Sequence, residues 1–304
     1  MTRLAFLGTP EAAVPSLTRL SGMAEVALVV TRPDRPRGRS AKPQPPPVKE
    51  AGEALGLEVA QPSNEEELAG VLAGCGPLDV CVVVAFGRIL KPAVLALPAF
   101  GMLNVHFSLL PRWRGAAPVE RALMTGDTMT GVTIIKLNEG LDTGPVLTAQ
   151  AVDIHPTEDA GSLTHRLAEL GSRLLTATLD DYLKGHLLPV DQVEEGATYA
   201  DKITADDRLL DTKSTASELI NTVRALAPSP GARMIFDGEM HKVLGAARHF
   251  GTPPPGKWEV IDGVPVISCR GEGVEITRIQ SPGRTVQAGD AWVRGRHRHG
   301  GTAG

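Results

Sequence analysis

The chain has 304 residues, of which 42% are apolar and 22% charged, and its formal net charge is −4. This composition is typical of a globular protein and excludes a disordered or collagen-like chain. The longest apolar run, residues 80–86, has the length of a strand and falls far short of the ~20 residues that cross a bilayer, so we expect no membrane contact.

The cysteines and the N-terminus indicate in which cellular compartment the protein is expected. Cys75, Cys81 and Cys269 form no CxxC pair and are odd in number. They predict reduced thiols rather than a disulfide framework or a cysteine-based zinc site. The apolar stretch at the N-terminus is too short for a secretory signal, because Glu11 interrupts it. We therefore expect a cytoplasmic protein that needs no metal.

The first third of the chain alternates apolar and helical stretches. We expect strands at residues 4–8, 25–31, 57–60, 79–86 and 101–108, with helices between them. Pro10 is expected to open the first helix, over residues 10–23, and Asn64 is expected to cap a helix through residue 73. Such alternation predicts a doubly wound, mostly parallel α/β sheet of the Rossmann-like type, which binds ligands beyond the carboxyl ends of its strands.

After residue 108 the pattern changes. We expect helices at residues 116–124, 157–184 and 214–226 and paired strands at 130–137 and 146–154. Residues 232–294 are short apolar stretches separated by Gly and Pro, which predicts a smaller, OB-like β-barrel. The expected domains are 1–189 and 207–304, joined by a polar linker at 190–206, with a disordered Gly-rich tail.

Three polar residues are candidates for chemistry. Asn104 and His106 lie two residues apart at the carboxyl end of a predicted strand and therefore share one face of it. Asp142 lies in the stretch 140–144, whose flanking glycines allow a close approach of the backbone to a ligand. From spacing alone, Asn104 and His106 fit a satisfied polar turn equally well, and Asp142 fits an Asx turn.

A short basic segment is the main concentration of positive charge. Its members, opposed only by Asp34, are Arg32, Arg35, Arg37, Arg39 and Lys42. Charge alone fits either a solvated loop or a contact with nucleic acid. The first strand is followed by neither a GxGxxG nor a Walker A sequence, which disfavours a nicotinamide-dependent oxidoreductase.

Several strings together resemble one enzyme family. Asn104-Val105-His106, then SLLP at 108–111 and Asp142-Thr143-Gly144, resemble the signature of formyltransferases that use 10-formyltetrahydrofolate. The longer strings SLLPRWRGAAP at 108–118 and PDRPRGR at 33–39 resemble the branch that formylates methionyl initiator tRNA. The resemblance spans most of residues 3–190 and is traceable at 199–203 and 219–230. Phe107, and the absence of tryptophan between Pro228 and Pro230, depart from the pattern.

The resemblance implies a reaction and a set of site residues. The reaction is formyl transfer from the folate to methionyl initiator tRNA, giving N-formylmethionyl-tRNA for translation initiation, without a metal and in a monomer. The implied catalytic residues are Asn104, His106 and Asp142. The implied folate contacts are Ser108, Leu109, Leu110, Pro111, Phe86, Gly87, Ile89 and Leu90. The implied tRNA contacts are Arg35, Arg37, Arg39 and Lys42, with the C-terminal barrel holding the tRNA body.

Two alternatives share part of this pattern. A formyltransferase acting on a sugar nucleotide or another small amine would use the same three polar residues, but the basic segment and the second domain favour RNA. An RNA-binding protein with a vestigial catalytic domain is the non-enzymatic alternative. The presence of Asn104, His106 and Asp142 together with the SLLP string argues against it.

Overall fold

The computed structural model describes residues 1–36, 42–296 and 299–304. The strands are β1 Arg3–Gly8, β2 Glu25–Val30, β3 Arg35–Pro36, β4 Pro43–Gln44, β5 Val59–Ala60, β6 Val80–Val84, β7 Met102–His106, β8 Arg114–Gly115, β9 Met129–Lys136, β10 Val146–Asp153, β11 Tyr199–Ala200, β12 Ala232–Phe236, β13 Glu239–His249, β14 Lys257–Ile261, β15 Val264–Cys269, β16 Glu272–Gln280, β17 Gln287–Ala288 and β18 Gly300–Thr302. The α-helices are α1 Val14–Ser21, α2 Pro47–Ala54, α3 Glu65–Gly74, α4 Pro92–Leu95, α5 Pro118–Thr125, α6 Ala160–Leu183, α7 Ala216–Leu226 and α8 Gly289–Arg296.

The chain folds into two compact units whose sequences interleave. The first unit contains residues 1–116, 130–153 and 164–200, and the second contains 117–129, 154–163 and 201–304. Two internal segments, 117–129 and 154–163, thus pack with the C-terminal third of the chain. The linear division at residues 190–206 stays a prediction.

The first unit is built on a seven-stranded sheet with the order β10-β9-β7-β6-β1-β2-β5. Strands β5, β2, β1, β6 and β7 run parallel, and β9 pairs antiparallel with β7. Every residue of Val80–Val84 is buried, as expected for a strand of a parallel sheet that is covered on both faces. The expectation of a doubly wound, mostly parallel sheet is confirmed.

Strand register places the polar residues of β7 at the sheet's edge. Val83 pairs with Leu7 on one side and with Asn104 on the other, so three central strands end together. His106 extends beyond the last residue of β6 and is paired only with Thr133 of β9. The carboxyl end of β7 therefore stands at the sheet edge where ligands of α/β proteins bind.

Two expected helix starts have different outcomes. The side chain of Asn64 accepts a hydrogen bond from the Glu67 amide at 2.9 Å, so the expected N-cap of α3 is confirmed. Pro10 is the N-cap of a single 3₁₀ turn, Glu11–Ala13, which continues directly into α1, so the expected helical stretch begins as a 3₁₀ turn. Pro15 has no amide hydrogen and is tolerated only in the first turn, where α1 places it.

The second unit contains an antiparallel sheet with the order β12-β13-β16-β15-β14-β18. The sheet curls until its edges meet, because Phe236 bridges Ala303 and the Asp237 amide donates to the Thr302 carbonyl at 3.0 Å. Helix α7 covers the core of this unit, and α5 packs against α7. This curled sheet fits the expected OB-like β-barrel.

The expectation of a disordered tail is wrong for the last residues. Gly300–Thr302 form β18, which pairs antiparallel with β14. A Cβ atom at Gly301 would lie 1.9 Å from the Asp237 carboxylate, so the backbone approaches here as only glycine allows. Glycines that suggested disorder by composition are instead required by close packing. The tail residues His297 and Arg298 lie outside the described residues.

An aromatic cluster with a buried histidine lies in the second unit. Trp292 contacts Phe236, Trp258 and His241 at ring-centroid separations of 5.1–5.6 Å. His241 Nδ1 donates to the Glu239 carbonyl at 2.8 Å, which leaves Nε2 to accept from Arg296 at 3.2 Å. Burial, with a further contribution from Arg296, lowers the pKa of His241 below its ordinary value of 6.5.

None of the helices in the described ranges is long and apolar enough to cross a membrane.

We predict that His241 makes the protein less stable in mild acid. The pKa of His241 is lower in the folded chain than in the unfolded chain, so the unfolded state binds more protons once the pH drops below about 6.5. The free energy of unfolding therefore decreases as the pH is lowered. We expect His241→Gln to flatten the dependence of this free energy on pH between about pH 7 and 5, measured by chemical denaturation. The matched control is His165→Gln at an exposed position of α6. Equal slopes in wild type and His241→Gln would contradict the prediction.

Candidate active site

Two neighbouring side chains of β7 form the base of the site. Asn104 is 9% exposed and His106 is 5% exposed. Both point to the same face of the strand, since they are two residues apart. Among the described residues, none forms a hydrogen bond with the side-chain amide of Asn104. A side-chain amide without a protein partner, in a residue that is otherwise largely buried, is available to a bound molecule.

A backbone carbonyl fixes the orientation of His106. The Nε2 atom lies 2.8 Å from the Trp113 carbonyl oxygen. A carbonyl oxygen only accepts, so Nε2 carries a hydrogen and donates it. Nδ1 faces Asp142, with 3.6 Å between Nδ1 and Oδ2. Nδ1 is therefore the ring nitrogen of His106 that is left for other contacts, on the side of the carboxylate.

Asp142 is held by both its side chain and its backbone. The Gly115 amide donates to Oδ2 of Asp142 at 2.8 Å, and the Gln192 side chain donates to the Asp142 carbonyl at 2.8 Å. Asp142 has a φ of +52°, in the left-handed region that L-residues seldom adopt. The structure thus brings together Asp142 and His106, which are 36 residues apart in the sequence.

A tight turn follows β7 and contains the Ser108–Pro111 string. The Ser108 hydroxyl donates to the Arg112 carbonyl at 2.6 Å. Thr133 of β9 closes the turn, because its hydroxyl donates to the Ser108 carbonyl at 2.7 Å and accepts from the Leu110 amide at 3.1 Å. Ser108 is fully buried, and Leu109, Leu110 and Pro111 are half-buried. Their role in folate binding stays a prediction.

The loop after β6 contains the other predicted folate residues. Phe86 and Leu90 are buried in the core of the first unit, whereas the Ile89 side chain is 80% exposed. The Gly87 carbonyl accepts from Arg32 at 2.6 Å, and the Phe86 carbonyl accepts from the Thr9 hydroxyl at 3.2 Å. Core packing by Phe86 and Leu90 holds the loop in place, and Ile89 and the exposed backbone at Gly87 are left to contact a ligand.

The basic segment is described only at its ends. Arg35 and Lys42 are exposed, and the strand of Arg35, β3, pairs antiparallel with β4. The predicted tRNA contacts Arg37 and Arg39 lie outside the described residues. The role of these four residues stays a prediction.

A polar network anchors the start of the basic segment. Lys49 donates to the Asp34 carboxylate at 3.0 Å, and Gln61 donates to the same carboxylate at 2.7 Å and to the Arg32 carbonyl at 2.8 Å. These bonds lower the pKa of Asp34. Burial, together with the guanidiniums of Arg88 and Arg35, lowers the pKa of Arg32. The only acid of the segment is thus engaged by Lys49 and Gln61.

Sequence analysis missed the residues that hold the site together. Gln192 and Thr133 contact the backbone around the catalytic candidates, and Arg114 binds the Gln192 side chain, but none of the three was singled out. Arg114 lies inside the string SLLPRWRGAAP, which was the available signal. Gln192 lies in the segment that was expected to be a linker, and no local pattern marks it. In the part of the chain that the structure describes, no three His, Cys, Asp or Glu residues are grouped as metal ligands.

Comparison with known proteins places the chain in a family. The family model described as formyl transferase matches residues 2–179, and the model described as formyl transferase, C-terminal domain, matches residues 202–297. A methionyl-tRNA formyltransferase of Halorhodospira halophila is 46% identical over 300 residues, covering 97% of this chain and 96% of the relative. One of Aromatoleum aromaticum is 45% identical over 298 residues, covering 96% and 94%.

Solved structures share the fold at low identity. An N-formyltransferase of Helicobacter canadensis, in complex with folinic acid and dTDP-3-aminofucose, has a TM-score of 0.71 and 18% identity, covering 92% of this chain and all of that one. HypX of Aquifex aeolicus, in complex with tetrahydrofolic acid, has a TM-score of 0.67 and 17% identity, covering 96% of this chain and 46% of that one.

The two matched models together cover most of the sequence, and the relatives are similar along almost its whole length. The strings around Asn104, His106 and Asp142 lie within the first matched region. The chain belongs to the formyl transferase family.

Proposed function

We propose that this chain transfers the formyl group of 10-formyltetrahydrofolate to the amino group of methionyl initiator tRNA, in the cytoplasm. The product is N-formylmethionyl-tRNA, which serves translation initiation. The observation that carries the proposal is the contact between His106 and Asp142 beside the unpartnered amide of Asn104, at the carboxyl edge of the sheet. Identity of 46% to a methionyl-tRNA formyltransferase supports this choice of amine.

The residues present fit a folate co-substrate. The buried Asn104 amide offers a hydrogen-bond donor without a protein partner, as a formyl oxygen requires. The loop at 85–90 presents exposed backbone at Gly87 beside the apolar side chain of Ile89, and the turn at 108–111 presents Leu109 and Leu110. Polar backbone next to apolar side chains is typical of sites for planar heterocycles. The co-substrate supplies an activated formyl group.

Asn104 stabilises the negative charge that develops on the formyl oxygen as the amine attacks, and His106 protonates the leaving nitrogen. The Asn104 amide donates to that oxygen, and one such donor is typically worth ~10²–10³ in kcat. His106, with Nε2 bound to the Trp113 carbonyl, delivers a proton from Nδ1 to the leaving nitrogen. No covalent enzyme intermediate is required, because the amine is itself the nucleophile.

Asp142 removes the proton that the attacking amine loses. Its carboxylate lies 3.6 Å from His106 Nδ1, so it also stabilises the protonated imidazole. The Gly115 amide, at 2.8 Å, keeps Oδ2 turned towards the histidine. The new carbon–nitrogen bond forms first and gives a tetrahedral oxyanion, and collapse of this oxyanion breaks the bond to the folate nitrogen. One proton passes from the amine to Asp142, and one passes from the protonated His106 to the folate nitrogen.

The basic segment and a groove in the second unit contact the RNA. The groove encloses about 550 Å³ between α7, β13 and β16, and its lining includes Arg224, Arg248 and Arg278. Arg224 is anchored by the Glu158 carbonyl at 2.7 Å. The side chains of Arg248 and Arg278 are 58% and 51% exposed and form ion pairs with Glu272 and Asp159. Exposed guanidiniums in a groove suit phosphate oxygens, which position a nucleic acid without reading its sequence.

We predict that substitution of each of the three catalytic candidates lowers kcat far more than it weakens folate binding. Asn104→Ala should lower kcat by ~10²–10³, and His106→Ala and Asp142→Ala should each lower it by ~10²–10⁴. Folate affinity should change little, because the interactions of these residues strengthen in the transition state. The assay follows radiolabelled formyl transfer to charged initiator tRNA, and the melting temperature of each variant controls for folding. A folded Asp142→Ala protein with wild-type turnover would exclude Asp142 from catalysis.

We predict a specific change in the pH profile of Asp142→Asn. The wild-type kcat/KM should rise with pH as the base and the substrate amine lose their protons. Asp142→Asn keeps the shape of the side chain but removes the base, so the acidic limb should then follow the amine alone. A second aminoacyl-tRNA with a different amine pKa identifies that contribution. If the limb is the same in both proteins, Asp142 does not take the proton.

We predict that the basic segment contributes to RNA affinity through phosphate contacts. The double variant Arg37→Ala, Arg39→Ala should raise KM for tRNA and leave folate binding intact. If each residue contacts one phosphate, the slope of log affinity against log salt should fall by about 2. The control is Arg173→Ala, at an exposed position of α6. An unchanged salt dependence would rule out these contacts.

A further inference from the structure

The segment at residues 190–200 lies against the part of the first unit that holds the catalytic candidates. At one end, Val190 and Val146 exchange two backbone hydrogen bonds of 2.7 and 2.8 Å. At the other end, β11 pairs in parallel with β8, and the Trp113 amide donates to the Thr198 hydroxyl at 2.9 Å. This segment is therefore fixed against the first unit at both ends, and the residues between them are held beside residues 113–115 and the loop of Asp142.

Gln192, in this segment, uses the full bonding capacity of its amide. Nε2 donates to the Asp142 carbonyl and to the Gly144 carbonyl, both at 2.8 Å. Oε1 accepts from Arg114 Nε at 3.1 Å and from Nη2 at 2.9 Å. The opposite orientation of the amide would place its oxygen against two carbonyl oxygens and its NH₂ group against a guanidinium. The partners therefore allow only one orientation of this side chain.

Arg114 is a buried cation with paired donors. Its side chain is 1% exposed, and its second edge donates to both carboxylate oxygens of Glu194 at 3.0 Å. The bond to Glu194 raises the pKa of Arg114. A buried guanidinium is tolerated only when its donors are satisfied, as Gln192 and Glu194 do here. We call Arg114, Gln192 and Glu194 the Gln192 clamp.

The Gln192 clamp and the residues next to it in the chain bind two of the catalytic candidates, His106 and Asp142. Trp113 and Gly115, on either side of Arg114, bind His106 and the Asp142 carboxylate through their backbone. Gln192 binds the Asp142 loop on both sides of Thr143. Asp142 has a positive φ, so its backbone needs external bonds to keep this conformation. Gly115 itself must be glycine, because a Cβ would lie 2.8 Å from the Ala200 carbonyl oxygen.

We propose that Gln192 is a positioning residue for formyl transfer, which it serves by fixing the Asp142 loop so that the carboxylate faces His106. Arg114 and Glu194 orient Gln192 and touch no reacting group. The proposal rests on the proposed function, because it assigns Gln192 a part in that reaction. The geometry of the clamp can also be tested without the reaction.

The test compares two variants with one control. Gln192→Glu keeps the shape but turns a carboxylate oxygen towards two carbonyl oxygens, and Gln192→Met removes every hydrogen bond. The control is Gln150→Glu, at an exposed position of β10. Each protein is assayed for kcat, for KM of tRNA and folate, and for melting temperature. Hydrogen exchange of the Gly115 amide, which donates to Asp142 Oδ2, reports the position of the carboxylate by NMR.

We expect Gln192→Glu to lower kcat about 10- to 100-fold with both KM values little changed, as for displaced catalytic groups. The Gly115 amide should exchange faster in both Gln192 variants and at the wild-type rate in Gln150→Glu. A folded Gln192→Glu protein with wild-type kcat and wild-type Gly115 exchange would overturn the proposal. If Gln192→Met does not fold, the isosteric Gln192→Glu variant alone tests whether Gln192 positions the Asp142 loop. Absence of tRNA formylation by the wild type would refute the proposed function, and the Gly115 exchange would still test the clamp.

Discussion

The site depends on the hydrogen bonds that three consecutive residues, Trp113 to Gly115, make with distant parts of the first unit. The Trp113 carbonyl receives the Nε2 hydrogen of His106, and the Gly115 amide binds the carboxylate of Asp142. Backbone groups hold these two side chains, so their placement is as rigid as the pairing of β8 with β11. Once Nε2 is engaged, only Nδ1 of the imidazole remains for chemistry, and it faces the carboxylate.

The same hydrogen bonds offset the cost of burying polar groups at the edge of an apolar sheet. Burial of Arg114 would be costly without partners, and the Gln192 side chain and the Glu194 carboxylate provide them. Asn104 differs, because no described residue binds its amide. The protein thus satisfies the groups that position the site and leaves one donor available. This is the arrangement expected where a substrate oxygen completes the hydrogen bonding.

Sequence reasoning succeeded where a pattern is local. Period-two spacing placed Asn104 and His106 on one face of β7, and the fully apolar run at 80–86 predicted a strand buried on both faces. The catalytic role of Asp142 was implied by the resemblance, since spacing alone favours an Asx turn for an aspartate between glycines. Gln192 could not be predicted, because its partners lie 48, 50 and 78 residues away in the sequence. It also lies in irregular structure, where side chains follow no regular spacing like that of a strand or helix. The tail was misjudged because composition does not reveal that Gly301 packs against Asp237.

The proposed function requires that this site formylates an amine carried by RNA rather than a small amino sugar. The most direct measurement mixes the wild-type protein with labelled 10-formyltetrahydrofolate and equal concentrations of charged methionyl initiator tRNA and a nucleotide-linked amino sugar. The label is then followed into each product within a single turnover. We expect the label to appear in N-formylmethionyl-tRNA and the sugar to remain unformylated. Label in the sugar, with none in the tRNA, would contradict it.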